Sequence, residues 1–328
     1  VASIKDIAEA CGVSPMTVSR ALNNSKEISK LTRERILKAC EEMGYRPNAA
    51  AKCLISNKTN MIGLLIPDIS NQYYSYVSKG VSAHLEELGY GLILCNTDRT
   101  PSNEMKYMDF LTQKRVDGII IIPVQSELKN YRILIDSVPF VQVDNYVDGL
   151  EASFIGNDNY TGGRKIITHM ISQGYRRIGV ILSHRNSTAS NDRLRGYMDV
   201  MSEFGLEIDK SIILNSNATF EDGYKLAERL IENNVDSIFA INDTMAMGVM
   251  KYCFSKGIKI PDDIGLAGYD DIEQAEMLPI PLTTVHQHKY NLGITAAKVL
   301  IDEINNAGLE KKKIILQPEI VVRKSCGE

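Results

Sequence analysis

Near the start of the chain, Ile4, Ile7, Ala8 and Cys11 fall at the i, i+3, i+4, i+7 spacing of one apolar helical face, which predicts a helix from Ile4 to Cys11. Ser3, three residues before Asp6, is a capping-box start. Gly12 suits a left-handed stop, and Ser14 followed by Pro15 reads as an N-cap with proline in the first turn of a second helix. Val18, Ala21 and Leu22 then point inward, leaving Pro15, Met16, Ser19, Arg20 and Asn23 on the outer face. A third helix, announced by Thr32, carries Ile36, Leu37, Cys40 and Met43 inward and stops at Gly44. Three short helices with this turn read as a helix-turn-helix, whose second helix is expected to lay its N-terminal end against base edges in the major groove; an ordinary helical hairpin is the alternative.

After Pro47 comes an alanine-rich stretch from Asn48 to Leu54, too brief to stay helical alone in water. A leucine at its end, with Lys52 two residues earlier, suits a minor-groove element that wedges a base step while the lysine meets phosphate. A solvated linker is the alternative.

From Met61 the texture changes to short apolar runs separated by helix-period segments, the pattern of a parallel α/β sheet. Strands are expected at Ile62 to Ile66, Leu92 to Cys95, Gly118 to Ile122 and Phe140 to Val143, with helices at Tyr73 to Leu88 and Asn103 to Gln113. A second set begins near Gly174, with strands at Ile178 to Leu182, Ser237 to Ile241 and Ile264 to Ala267. Its helices fall around Arg193 to Phe204, Glu221 to Asn233 and Met245 to Ser255. The halves echo each other: Ile62-Gly63-Leu64-Leu65-Ile66 resembles Ile178-Gly179-Val180-Ile181-Leu182, and Val116-Asp117-Gly118-Ile119 resembles Val235-Asp236-Ser237-Ile238. Such self-similarity predicts two Rossmann-like subdomains with a cleft at the carboxyl ends of their strands.

Charge sharpens the division. Residues 1–60 hold ten Lys and Arg against six Asp and Glu, a net of +4, whereas the remainder carries -8. An acidic body bearing a basic head is the asymmetry of a protein that touches phosphates only through its head. No apolar run approaches the ~18 residues of a membrane span, and charged Lys5, Asp6 and Glu9 stand where a secretory leader would be apolar, so a cytoplasmic location is expected. Cysteines 11, 40, 53, 95, 253 and 326 have no metal-ligand spacing and read as reduced thiols. Histidines 84, 169, 184, 286 and 288 show no arrangement that a site would need. No dinucleotide fingerprint, phosphate-binding loop, nucleophile elbow or zinc-protease helix is present, so neither an enzyme nor a metal or cofactor is expected.

Polar residues recur just past the predicted strand ends: Asp144 after Val143, Asn242 and Asp243 after Ile241, and Tyr269, Asp270 and Asp271 after Ala267. Side chains that each exchange two hydrogen bonds suit vicinal hydroxyls of a sugar. Helix capping is the alternative for Asn242 and Asp243. With no tryptophan in the chain, any sugar ring must stack on tyrosine or phenylalanine.

The runs IKDIAEACGVSPMTVSRALN and TRERILKACEEMGYRPNAAAKCL, with the body that follows, resemble the lactose-repressor/galactose-repressor (LacI/GalR) family of bacterial transcription regulators over nearly the whole chain. The resemblance implies a small all-α helix-turn-helix head on an α/β body of the type I periplasmic-binding-protein fold. It implies a head at 1–46, a hinge helix and linker at 47–60, and an effector-binding and dimerisation body at 61–328. Within that body the N-subdomain takes about 61–157 and 290–317, and the C-subdomain about 158–289 and 318–328. Pro15, Met16 and Arg20 fall at base-reading positions and Thr17 and Ser19 at phosphate positions, with Ser14, Asn23, Asn48 and Ala51 also in the DNA-binding set. Leu54 falls at the intercalating position, and Lys52 stands where many members have arginine. For an effector the resemblance implies the aromatic pair Tyr73 and Tyr74, with Asp144, Arg193 as clamp, Asn242, Asp270 and Gln287. Phe220 lies near a further stacking position, with a short spacing to Gly223.

These readings converge on a ligand-responsive repressor of sugar-utilisation genes that binds a palindromic double-stranded operator as a homodimer. A sugar or sugar phosphate is the expected effector, with a purine as the minority reading. No heptad-patterned tail follows the last apolar strand, which favours a dimer over a tetramer. Two alternatives stay open: a catabolite-control regulator whose main effector is a phosphorylated carrier protein, and a sugar-binding transport receptor, which would need a signal peptide and no basic head.

Overall fold

The computed structural model describes residues 2–22, 25, 27–45, 58–183, 187–306 and 308–327. The chain forms two compact units, Val1–Thr59 and Asn60–Glu328.

The first unit holds α1 (Ile4–Ala10), α2 (Pro15–Leu22) and α3 (Lys30–Glu42). Both halves of the Ser3–Asp6 capping box form, and Gly12 and Gly44 adopt the left-handed conformation that ends a helix. Ile7, Ala8, Val18, Ala21, Ile36 and Cys40 make the core. The third helix corrects the sequence reading. Ser29, not Thr32, starts it, accepting 3.2 Å from the Thr32 amide. Its buried stripe is Ile36 and Cys40 flanked by Ala39, so Leu37 and Met43, expected inward, stay 47% and 39% exposed. Leu37 is turned about 100° from Ile36 and so off that stripe, and Met43 caps the helix beyond its last turn.

The second unit begins with β1 (Met61–Ile66), α4 (Gln72–Glu87), β2 (Gly91–Asn96), α5 (Pro101–Gln113), β3 (Gly118–Ile121), α6 (Arg132–Ile135), β4 (Phe140–Val143) and β5 (Ser153–Asn157). It continues with α7 (Asn159–Ser172), β6 (Ile178–Leu182), α8 (Thr188–Glu203), β7 (Ile213–Asn215), α9 (Phe220–Glu232), β8 (Ser237–Ala240), α10 (Asp243–Lys256), β9 (Gly265–Ala267), α11 (Glu273–Met277) and β10 (Thr284–His286). Last come α12 (Lys289–Asn305), β11 (Lys313–Leu316) and β12 (Glu319–Val321).

One sheet runs β11-β5-β4-β3-β1-β2, with every neighbouring pair parallel. Alternate residues serve opposite faces: Ile62, Leu64 and Ile66 pack under α4 and α12, and Leu65, Ile119 and Ile121 under α5 and α6. The other sheet runs β7-β6-β8-β9, also parallel, and an antiparallel β10–β12 pair lies beside it. The backbone passes between the two layers after β5, between β10 and α12, and between β11 and β12. Strand carboxyl ends of both sheets therefore face one cleft, the position at which open parallel sheets bind ligands. Strands β5, β7, β11 and the β10–β12 pair, and helices α7 and α12, lay outside the sequence-derived assignments; α8 starts at Thr188 rather than Arg193 because Ser187 caps it, accepting 3.2 Å from the Ser190 amide.

Candidate functional site

On the head, the face expected to read DNA is open. Pro15, Met16 and Arg20 are exposed, Ser14 is exposed at the cap of α2, and Thr17 and Ser19 are half-buried. Ser14 Oγ accepts from the Thr17 amide at 3.1 Å and lies 2.9 Å from Thr17 Oγ1, so both hydroxyls are held at the helix start. Arg20, expected to be the strongest base reader of the set, pairs at 2.9 Å with Glu27. Asn23, Asn48, Ala51, Lys52 and Leu54 lie outside the described residues.

In the body, a cavity with about 570 Å³ of empty space, counted out to its mouth, lies at the strand ends between the two layers. Of the expected effector residues, Tyr73, Tyr74, Asp144, Arg193, Asn242 and Asp270 all line it. Gln287 does not: it is fully buried behind the wall and donates at 2.6 Å from Nε2 to Asp270 Oδ1, so its part is to hold that carboxylate. Phe220 begins α9, half-exposed, and Ala218 takes the place on the wall.

Each wall residue is fixed by its element. Asp144 follows β4 with φ 62°, a left-handed turn that aims its carboxylate at the cleft, where it accepts from the Tyr73 hydroxyl at 2.8 Å. Tyr73 Oη in turn accepts from Asn157 Nδ2 at 3.3 Å. The two tyrosine rings meet edge to face, with centroids 5.2 Å apart. Asn242 is both cap and wall: its Oδ1 accepts from the Met245 amide at 2.8 Å while the residue faces the cavity. Arg193 is buried on the wall and held by the protein at several points. Nε donates to Asn159 Oδ1 at 2.8 Å, Nη1 to the Ile241 carbonyl at 2.6 Å, and the guanidinium lies 3.7 Å from the Tyr269 ring centroid. Its Nη1 is 3.9 Å from Asp270.

Glycines bring Arg193 to this point. A Cβ on Gly163 of α7 would sit 2.6 Å from the Arg193 carbonyl oxygen, and one on Gly196 of α8 2.6 Å from the Tyr160 carbonyl oxygen, so α7 and α8 touch backbone to backbone.

Burial governs the electrostatics. It lifts the Asp270 carboxyl to about 7 against the opposing pull of Arg193 and with a push from Asp144. Asp144 is raised by burial as well, with Arg193 and the Tyr73 hydrogen bond opposing. Asp243, expected only as a strand-end polar residue, lies beneath the cleft, fully buried. Burial and neighbouring Asp270 raise it well above its ordinary value. Behind the cleft Asp271 behaves oppositely: burial pushes it up, but hydrogen bonds from His286 and Arg323 prevail and hold it at about 2. Burial also pushes the Tyr74 hydroxyl up to about 12, with Arg99 opposing.

Sequence reasoning missed several wall residues: Arg99, Asn145, Ser187 and Ser190. Asn145 also joins the layers. Its Oδ1 accepts from the Ser187 hydroxyl at 3.1 Å and from the Ala189 amide at 3.2 Å. Elsewhere along the same cleft, Gln72 accepts from the Glu273 amide at 2.8 Å and Tyr76 donates to the Glu273 carboxylate. The described cysteines other than Cys53, namely 11, 40, 95, 253 and 326, are free and buried. Among the described residues no group of histidine, cysteine or acidic side chains is arranged to hold a metal, and no helix is long and apolar enough to cross a membrane.

Comparison with known proteins places both parts. Residues 3–48 match the family of bacterial regulatory proteins of the lacI type, and residues 59–324 match periplasmic binding proteins and the sugar-binding domain of the LacI family. The chain is 35% identical over 330 residues to the HTH-type transcriptional regulator DegA of Bacillus subtilis, covering 99% of this chain and 98% of that protein. It is likewise 35% identical over 329 residues to the repressor PurR of Vibrio campbellii, with the same coverage. Among solved structures, a LacI family transcriptional regulator of Enterococcus faecium with bound ribose superposes with a TM-score of 0.76 at 27% identity, over 81% of this chain and 98% of that one.

Proposed function

Because this chain belongs to the LacI family of bacterial regulatory proteins, and so is a ligand-responsive DNA-binding regulator of transcription, we propose that it represses genes of sugar use, holding a palindromic operator as a homodimer in the bacterial cytoplasm. A hydroxyl-rich effector in the cleft controls that hold. The observation that carries this reading is the cleft wall: Asp144, Asp270, Asn242 and Asn145 come from both layers and set carboxyl and side-chain amide groups around one cavity. A ring of vicinal hydroxyls can satisfy these groups together, and closing around it changes the angle between the layers. Among the described residues, Tyr73 and Tyr74 are the aromatic side chains on the cavity wall and Phe220 stands off it, which suits a sugar better than a purine held between two rings. The Enterococcus faecium relative carries ribose, a ligand of the class proposed here. Exposed apolar residues on α9, α10 and α11, Phe220, Phe254 and Met277, are suitable for covering by a second chain.

A thermal-shift screen of sugars, sugar phosphates and purines tests the ligand class, repeated with Asn242→Ala and Arg193→Ala. A sugar-class hit that both substitutions abolish, with operator binding by the free protein retained, supports the cleft as the effector site. A response confined to purines, or one untouched by the substitutions, overturns it. Leu54→Ala is expected to weaken operator binding and bending, and unchanged affinity removes the leucine wedge from the proposal.

A further inference from the structure

We infer that the effector carries an acidic group, a phosphate or a carboxylate, and that Arg99 is the residue that receives it. This rests on the reading of the cleft as an effector site and assigns the chemistry of one end of it.

Arg99 sits in the turn after β2, where it and Asp98 both adopt the left-handed conformation, with φ of 54° and 52°. Two successive non-glycine residues take this shape only when surrounding contacts impose it, and such strain clusters at functional sites. Here the Arg99 amide donates to the Pro67 carbonyl at 3.0 Å and Asn96 Nδ2 to Asp98 Oδ1 at 2.6 Å. The result is a side chain turned inward, 16% exposed, onto the cavity wall.

Its charge is only partly met there. Asp68 stands 3.8 Å away, beyond hydrogen-bond reach, and already accepts from the Ser70 amide and hydroxyl at 2.9 and 2.6 Å, while Arg99 also acts on the Tyr74 hydroxyl and, through its charge, on the Asp144 carboxyl. The guanidinium lies 5.7 Å from the Tyr74 ring centroid, and its Nε is buried without an acceptor. Arg193 is the contrast: its Nε and Nη1 are both bonded within the protein and its face is covered by Tyr269. Among the described wall residues, Arg99 Nε is the buried guanidinium nitrogen left without a partner.

The neighbouring wall groups lean the same way. Asn71 spends its carbonyl oxygen on the Tyr73 amide at 2.9 Å, and Ser190 Oγ accepts from the Ser183 amide at 3.3 Å, so the amide nitrogen and the hydroxyl proton are what each has left to offer. Burial raises the Asp144 and Asp270 carboxyls above their ordinary values, which works against negative charge on this wall. A neutral sugar leaves the Arg99 Nε without a partner. An oxyanion accepts from the guanidinium fork with two oxygens.

The test is calorimetric titration of the full-length protein with matched pairs: ribose and ribose 5-phosphate, glucose and glucose 6-phosphate, glucose and glucuronate. In at least one pair the acidic member is expected to bind tenfold or more tighter. Arg99→Gln should erase that difference while changing affinity for the neutral member less than twofold and leaving operator binding by the free protein intact. Arg99→Lys should recover part of it. If neutral and acidic members bind alike, or Arg99→Gln weakens both equally, the acidic subsite is wrong and the sugar reading stands. If no member of any pair binds the wild-type protein, the sugar reading itself falls and the subsite with it.

Discussion

Replacing Asp270 with asparagine is expected to flatten the dependence of stability on pH. The carboxyl is buried, and burial lifts it from its ordinary 3.8 to about 7. A carboxyl whose folded-state value lies above its unfolded value favours the fold while it holds its proton. Its contribution is therefore full below about pH 3.8, declines as the pH rises, and is gone above about 7. A shift of about three units at ~1.4 kcal/mol each sets a ceiling near 4 kcal/mol. Asp144 and Asp243, also buried and raised, compete for the same protons, so one substitution removes roughly half, about 2 kcal/mol. Asparagine keeps an acceptor for Gln287 Nε2, now 2.6 Å from Oδ1, and gives up an ion pair with Arg193 that at 3.9 Å is longer than a hydrogen bond. Thermal melts of the full chain and of the variant across about pH 5 to 8 check this. Since about two of those three units fall within that range, the variant should gain on the wild type by about 1.3 kcal/mol between its ends, roughly 3 °C or more in Tm. Parallel curves would mean that Asp270 is ionised throughout, and the reasoning would be refuted.

Three further outcomes are expected. Gly163→Ala drives a methyl group into the Arg193 backbone, which cannot step aside as a side chain can, so it should cost about 1–3 kcal/mol and weaken effector binding by shifting Arg193; unchanged melting and unchanged affinity would show that α7 and α8 separate freely. Glu104→Gln should cost about 2 kcal/mol and loosen the cavity wall at Val124, because the buried carboxylate accepts from the Val124 amide, Gln125 Nε2 and the Tyr131 hydroxyl, and a side-chain amide puts a donor against one of them; urea unfolding measures it, and a cost near zero would count against this network. Arg20→Gln should weaken operator binding by about 1–3 kcal/mol with little change on random DNA. Glu27→Gln, which frees Arg20 from its exposed ion pair, should strengthen binding a few-fold at low salt; anisotropy titrations read both, and equal losses on operator and random DNA would remove Arg20 as a base reader.

What could be read from the sequence depended on whether the determinant was local. The caps Ser3 and Ser14 and the stops Gly12 and Gly44 act within a few residues, so the head was legible down to its turns. The third helix slipped because Ser29 and Thr32 are both plausible starts, and only docking decides which residues beyond the Ile36–Cys40 stripe are covered. Strands buried on both faces announced themselves as apolar runs. β11 sits at a sheet edge with alternating exposure and β7 spans three residues, so neither leaves such a run.

The same distinction explains the site. Parallel strands place their carboxyl ends together whatever the loops do, so acceptors just past those ends, Asp144, Asn242 and Asp270, could be named in advance. Donors reach the cleft by other routes. Ser187 and Ser190 belong to the first turn of a helix that begins earlier than its apolar pattern suggests, and Arg99 to a turn whose two left-handed residues reverse the direction of its side chain. No periodicity records such a reversal. Arg193 was therefore the cation the sequence offered the ligand, and the fold fixes its Nε, its Nη1 and its face through Asn159, Ile241 and Tyr269. The acceptor half of this cleft follows from topology and the donor half from tertiary contacts, and on the proposal made above it is the donor half that would set whether a bound sugar is neutral or acidic.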